Sequence, residues 1–299
     1  MKFVPLHVYS GYSFLRSGLS IPKLLGAARK GGYDAVGLSD FETLSGYPEF
    51  FHALEKYQMT PVFGMDVEVD GVLVSLFLHD EEGYRNLIKI AYTRSKGEID
   101  RAFLLKHLDG LSLVLPSEYS PIRQFYKVDP QKVVKFLKDF SVGIERFYIG
   151  LPYLPNEGEF ASFLREFAKK YPYDLVAFPH ILYAKKGDAI VLDIVRAIAE
   201  KQTLSEREKD GDNYFLTQEE AISYFSENEI SLTETLAASS FTFLEKRGGL
   251  LHYPCPEGES ASSYLRKLAY EGLKQRKPDY DEEYKTRLDY ELDVIDKMG

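Results

Sequence analysis

Tryptophan is missing from this sequence, and cysteine occurs once, at Cys255. A lone thiol excludes an internal disulfide and any cysteine-based metal cluster. Long apolar runs are missing too. None approaches the ~18 residues of a membrane span, and the opening Met-Lys-Phe-Val-Pro lacks the shape of a signal peptide. Neither G-x-G-x-x-G nor G-x-x-x-x-G-K-[ST] occurs, so nucleotide binding of those kinds has no support. Positive charge is in the minority: 37 Lys and Arg face 46 Asp and Glu, for a net charge of −9. Such a surface repels nucleic acid in bulk, so DNA contact would need a local patch or another part of a larger protein. The chain reads as soluble and cytoplasmic, with no membrane partner.

Core material is ample. Apolar residues make up 44% of 299 positions, enough for one large α/β domain of about 200–250 residues or for two domains. Strand and helix patterns alternate from Phe3 to about Ile198. The stretch Phe3–Gly18 opens as an apolar, β-branched run and breaks into Ser, Gly and Arg, the pattern of a buried parallel strand running into a loop. His7 and Tyr9 are two apart and share a face. Further strands are expected at Tyr33–Ser39, Thr60–Val69, Val72–Leu78, Leu111–Leu115, Phe147–Leu151 and Leu175–Phe178, with Asp70-Gly71 as a two-residue hairpin turn. Helices are expected at Ile21–Lys30, Pro48–Gln58, Glu81–Tyr92, Arg101–His107, Gln131–Phe140 and Phe160–Lys170.

Seven strands with intervening helices indicate a (β/α) barrel or a doubly wound sheet. The barrel is preferred, because chemically capable residues end strands one, two, three and seven. Beyond Ala184 the pattern turns helical. Asp188–Lys201 leads to a charged loop, Thr217–Glu220 forms a capping box, and a helix is expected at Leu232–Phe243. Leu250–Pro256 reads as extended, and two long helices follow. The chain ends just after an amphipathic helix, which suggests a fragment of a longer protein.

These pieces, taken in order, resemble the N-terminal PHP (polymerase and histidinol phosphatase) region of bacterial replicative DNA polymerases of the C family, the DNA polymerase III alpha subunits. LHVYSGYSFLRSGLSIPKLL is similar to the family's opening H-x-H-S-x-Y-S motif and first helix. GYDAVGLSDFETLSGYPEFFHAL resembles its T-D-H-x-x-L-x-G turn, TPVFGMDVEV its I-G-x-E strand, and VAFPHILYAKKGD its N-D-x-H-Y segment. DEEGYRNLIKIA, FLTQEEAISYF and the two final helices resemble pieces found only in the polymerase members. The resemblance implies a distorted (β/α)7 TIM-like barrel, the PHP fold, followed by a helical segment leading into a polymerase palm. Residues 1–250 would be the PHP domain with its helical connection, and 251–299 the start of the palm.

An active centre of this family gathers about nine His, Asp, Glu and Cys ligands around several cations, which prefer imidazole plus carboxylate if they are Zn²⁺ or Mn²⁺. Carried over by position, the second histidine is Tyr9, an aspartate is Arg16, a histidine is Phe41, a glutamate is Asp66, and a histidine is Leu73. The cysteine falls on Ser117, an aspartate on His180 and the last histidine on Leu182. The surviving set is His7, Asp40, Asp66 and His180, too few for a multinuclear centre. Plainer roles are open for each: His7 bonding a strand-end group, Asp40 capping the following helix, Asp66 pairing with Arg16, and His180 packing. His52, His79, His107 and His252 read as surface residues.

The expected function is therefore a structural, partner-docking PHP segment with no catalytic residues and no Zn²⁺ or Mn²⁺ of its own. The whole protein would synthesise DNA with Mg²⁺ in its palm. Partners would be the remaining polymerase domains and the proofreading exonuclease, with DNA reached through the full protein. The competing reading is a metal-dependent PHP phosphoesterase or 3′-exonuclease, and a more distant one is an unrelated small-molecule barrel enzyme.

Overall fold

Residues 2–204, 212–239 and 253–298 are described in the computed structural model, apart from the side chain of Glu55. Six strands form one sheet in the order β1 to β6: Ala35–Leu38, Thr60–Val69, Val72–Leu78, Leu111–Pro116, Phe147–Leu151 and Asp174–Ala177. Pairing is mixed. β1–β2, β4–β5 and β5–β6 are parallel, whereas β2–β3 and β3–β4 are antiparallel. The antiparallel pairs arise from the Asp70-Gly71 turn. Both residues take positive φ, 49° and 73°, the backbone a tight two-residue hairpin demands. β2 is long enough to pair with β1 through Thr60–Phe63 and with β3 from Gly64 onward. Gly64 marks the handover, where a Cβ would lie 2.6 Å from the Phe77 ring.

The expected first strand, Phe3–Val8, is not one. It contributes a single bridge, Val8 to Ile181. Two local features explain this. Pro5 has no N–H to give a ladder, and the Val8 N–H turns back to the Leu6 carbonyl at 3.2 Å. The segment still bonds on both sides. Pro5 and Val8 carbonyls accept from Gly37 and Ser39, beside β1. On the other side, Ile181 donates to His7 O at 2.9 Å, and Tyr9 donates to Ile181 O at 3.0 Å. The two sheet edges thus meet the same extended segment. Close approach is required, because a Cβ on Gly37 would sit 2.3 Å from the Leu6 carbonyl oxygen.

Helices α1 to α12 cover Ile21–Lys30, Tyr47–Tyr57, Glu81–Arg94, Arg101–Leu105, Pro121–Phe125, Pro130–Ser141, Gly158–Lys170, Ala189–Glu200, Gln218–Tyr224, Glu227–Ala238, Ala261–Arg276 and Glu282–Met298. The Thr217–Glu220 capping box starts α9 as the sequence indicates. The helix expected at Leu232–Phe243 begins earlier, at Glu227, because Ser226 and Glu229 form a second capping box; its expected last residues lie outside the described ones. α10 packs against β6, β2 and β1. Its Leu236 and Ala237 join Leu6, Val62, Phe77, Val114, Val176 and Phe178 in one buried cluster. That cluster fills the concave side of the sheet from residues of successive strands. Burying a Phe or Leu there contributes about 1.5–3 kcal/mol, and it forms the floor under the strand ends.

The chain divides into two units, Met1–Leu244 and Glu245–Gly299. The second is a pair of helices, α11 and α12, joined by Arg266 ion pairs to Asp289 at 3.0 Å and Asp293 at 2.7 Å. No helix of the described residues is long and apolar enough to cross a membrane.

Candidate functional site

The strand ends and the Phe3–Tyr9 segment converge on Asp66. Its partner across the β2–β3 ladder is Ser75, and its backbone bridges Phe41. The carboxylate is fully buried. Its Oδ2 takes two protein contacts: the Tyr9 hydroxyl donates at 2.7 Å and His7 Nε2 lies at 2.7 Å. Tyr9 therefore does not merely fill the volume of an imidazole. Its hydroxyl occupies one oxygen of the Asp66 carboxylate. Burial, then the Asp66 charge, pushes the Tyr9 hydroxyl well above the ordinary phenol range, so it remains a donor.

Asp40 follows β1 and is equally buried. It does not cap the next helix; α2 starts behind Gly46 without a side-chain cap. Instead it organises the loop after His7–Tyr9. Oδ1 accepts from Ser10 N at 2.7 Å and Ser13 Oγ at 2.6 Å, while Oδ2 accepts from Ser10 Oγ at 2.7 Å. Desolvation raises its pKa, opposed by these three bonds and reinforced by Asp66.

His7 lies in an aromatic stack. Phe178 covers one neighbour position at 4.5 Å and 14°, and His180 another at 3.9 Å and 7°. His180 Nδ1 is hydrogen-bonded to the Tyr119 hydroxyl at 2.9 Å. Burial, with the nearby His7, Arg196 and Arg16, holds His180 well below the ordinary imidazole range, so this ring is neutral. Three polar atoms of the centre have no partner among the described residues: His7 Nδ1, Asp66 Oδ1 and His180 Nε2.

The expected pairing of Arg16 with Asp66 does not form; the Arg16 guanidinium lies over the Phe41 ring, 3.6 Å from its centroid. Leu182 is buried, and Leu73 and Leu182 line one cavity with Tyr9 and His180. Of the other histidines, His79 bonds Ser112 and the Ser239 carbonyl, and His107 bonds the Phe103 carbonyl. Neither faces the site. His252 lies outside the described residues.

Glu118 is the residue the sequence reading passed over. It sits in the turn after β4, and its carboxylate comes within 4.8 Å of ligand atoms on His7 and His180. No local pattern singled it out; the fold brings the turn after β4 near His7 and the segment after β6. Burial pushes its pKa up to about 8, against a lowering by Arg123.

These groups do not suit a multinuclear metal centre. Asp40 is saturated by hydroxyl and amide donors, and Asp66 keeps one free oxygen. His7 and His180 face each other nearly parallel, so their in-plane lone pairs run side by side rather than converging on one point. Glu118 holds its proton at neutral pH. Ligands must be deprotonated and convergent for a cation to bind well.

The PHP domain family matches this chain over residues 5–152. Over its full length the chain is 28% identical to DNA polymerase III subunit alpha of Bacillus subtilis, covering 28% of that protein. It is 29% identical to the same subunit of Aquifex aeolicus, with 99% of this chain and 30% of the relative aligned. The chain thus spans less than a third of the length of these curated relatives. Among solved structures, a Bacteroides vulgatus two-domain protein containing a predicted PHP-like metal-dependent phosphoesterase is 11% identical at a TM-score of 0.41, covering 77% of this chain and 63% of that one. Residues 5–152 thus form a PHP domain, and along its length the chain is homologous to the DNA polymerase III alpha subunits.

Proposed function

We propose that this chain is the N-terminal PHP region of a replicative DNA polymerase alpha subunit and acts there as a scaffold without chemistry of its own. One observation carries the reading: both oxygens of Asp40 are engaged by Ser10 and Ser13, and Oδ2 of Asp66 by Tyr9 and His7. Buried carboxylates bonded in this way hold strand ends together and have little left for a cation. The six strands plus the Phe3–Tyr9 segment are read as the distorted (β/α)7 barrel of the family. Residues 251–299 are read as the beginning of the palm.

In this proposal the whole protein is cytoplasmic and extends DNA by two-metal phosphoryl transfer with Mg²⁺ held in its palm. Its other polymerase domains and a proofreading exonuclease are the partners of this region, and DNA is met elsewhere than on this acidic surface. Elemental analysis of the purified chain tests the silent centre. Less than one equivalent of bound metal and no hydrolysis of a phosphomonoester or a DNA 3′ end are expected. Two or more equivalents, removed by chelator together with nuclease activity, would overturn it. A second reading, a single cation on His7, Glu118 and His180, has their mutual 4.8 Å proximity in its favour; one equivalent lost in Glu118→Gln would establish it.

A further inference from the structure

A groove of about 460 Å³ lies between α1 and the chain that leads into α8, and it shares no lining residue with the cavity at the strand ends. Ala27 and the buried Phe215 and Leu216 line it. Lys23 and Lys30 stand on its α1 side and Lys185 on the other. Asp188 carries the one carboxylate among the described lining residues. The geometry points to this groove as a docking site for an acidic peptide segment of a partner protein, one that carries an apolar side chain between its carboxylates.

Three observations support it. The first is charge. Among the described residues, no carboxylate lies within ion-pair distance of Lys23, Lys30 or Lys185, whereas the neighbouring Lys186 pairs with Asp212 at 3.4 Å. In a chain of net charge −9, three cations left around one groove reverse the local sign and attract an acidic partner. The second is a preformed shape. The Tyr33 hydroxyl donates to the Leu216 carbonyl, and the Phe215 ring lies 6.3 Å from that of Tyr33. Across the groove, a Cβ on Gly26 would stand in open space, so α1 is recessed there. A groove already in place spares the cost of ordering it on binding. The third is spacing. Lys23 and Lys30 stand two turns apart on one face of α1, about 10 Å along its axis, with Ala27 between them. An extended peptide advances about 3.3 Å per residue, so carboxylates about three residues apart span the same distance. Lysine stems pack against apolar groups while their heads stay in water, so an apolar side chain lies on the stems and Ala27 while the flanking carboxylates meet the ammonium groups. Nucleic acid fits less well. Phe215 is buried and offers no face to a base, and Asp188 and the net charge oppose a dense run of phosphates.

The inference does not rest on the scaffold reading, since the groove is apart from the strand-end centre. A phage-displayed library of short random peptides, selected on the full chain, supplies the probe; the strongest binder is then synthesised with a fluorophore and titrated by anisotropy. Enrichment of peptides with several Asp or Glu around a Leu, Ile or Phe is expected, with affinity that falls as salt rises. The double variant Lys23→Glu, Lys30→Glu should weaken binding about tenfold or more. Gly26→Leu, which fills the groove and leaves every charge in place, should weaken it comparably. Lys23→Arg with Lys30→Arg, which keeps both charges, should retain most of it. Melting temperatures of all variants are compared with the parent, so that a loss of binding is not a loss of fold. No enrichment of acidic peptides, or acidic peptides that bind the parent and both disruptive variants equally, would overturn the inference and leave the scaffold reading intact. A single-stranded oligonucleotide that binds more tightly than any selected peptide and is lost in the same variants would overturn it as well, by assigning the groove to nucleic acid.

Discussion

Replacing Tyr9 by Phe keeps the ring and deletes the hydroxyl that donates to Asp66 Oδ2 at 2.7 Å. Asp66 Oδ1 already lacks a partner, so the variant leaves a fully buried carboxylate with His7 alone. A hydrogen bond to a charged group contributes about 1.5–3 kcal/mol. The expected loss is therefore about 2 kcal/mol, or roughly 4–8 °C of melting temperature for a unit of this size. Urea denaturation of the wild type, Tyr9→Phe, Asp66→Asn and the double variant gives the coupling. If Tyr9 exists here to satisfy Asp66, the double variant should cost clearly less than the sum of the singles, by 1 kcal/mol or more. A coupling below about 0.5 kcal/mol, or a Tyr9→Phe variant as stable as the parent, would refute the claim that the tyrosine took over the carboxylate oxygen. Tyr9→His would then be free to restore a ligand, whereas the present geometry predicts that it destabilises and binds no further metal.

Two more outcomes follow from the same structure. Burial raises Glu118 from 4.5 to about 8. A carboxyl raised on folding contributes stability below its unfolded value and loses it as pH climbs to the folded one. Glu118→Gln should thus gain on the parent across that window, with a slope under ~1.4 kcal/mol per pH unit, reduced by the partial exposure of the residue. Parallel stability curves would exclude a buried acid. Gly37→Ala should cost about 3 kcal/mol or more, since its Cβ meets Leu6 backbone at 2.3 Å, whereas Gly26→Ala, with open space at its Cβ, should gain up to about 1 kcal/mol by helix propensity. Circular-dichroism melts compare the two.

The elements that the sequence disclosed are those made by neighbours along the chain. Asp70-Gly71 forms its hairpin because two positive-φ residues suffice to reverse a strand. Thr217 and Glu220 cap α9 because the two groups reach each other across one turn. The same rule at Ser226 and Glu229 went unused, since the apolar pattern that signals a helix starts later, at Leu232. Phe3–Val8 has the composition of a strand, but a strand also needs ladder partners in register, and Pro5 and the Val8 turn deny it them.

For the site, the resemblance to the PHP motifs singled out His7, Asp40, Asp66 and His180 as one set and implied that Tyr9, Phe41, Leu73 and Leu182 stand where the family has ligands. They could not say which oxygen each donor takes. Tyr9 bonds Asp66, while Arg16 lies beyond a loop that Asp40 pins and stacks on Phe41. Glu118 and the cavity lined by Tyr9, Leu73, His180 and Leu182 belong to tertiary structure alone. Their members come from segments far apart in the chain, and only the fold brings them within reach. Side-chain periodicity specifies what faces inward; which buried groups then share a proton or a charge is decided by distances of a few ångströms that folding sets.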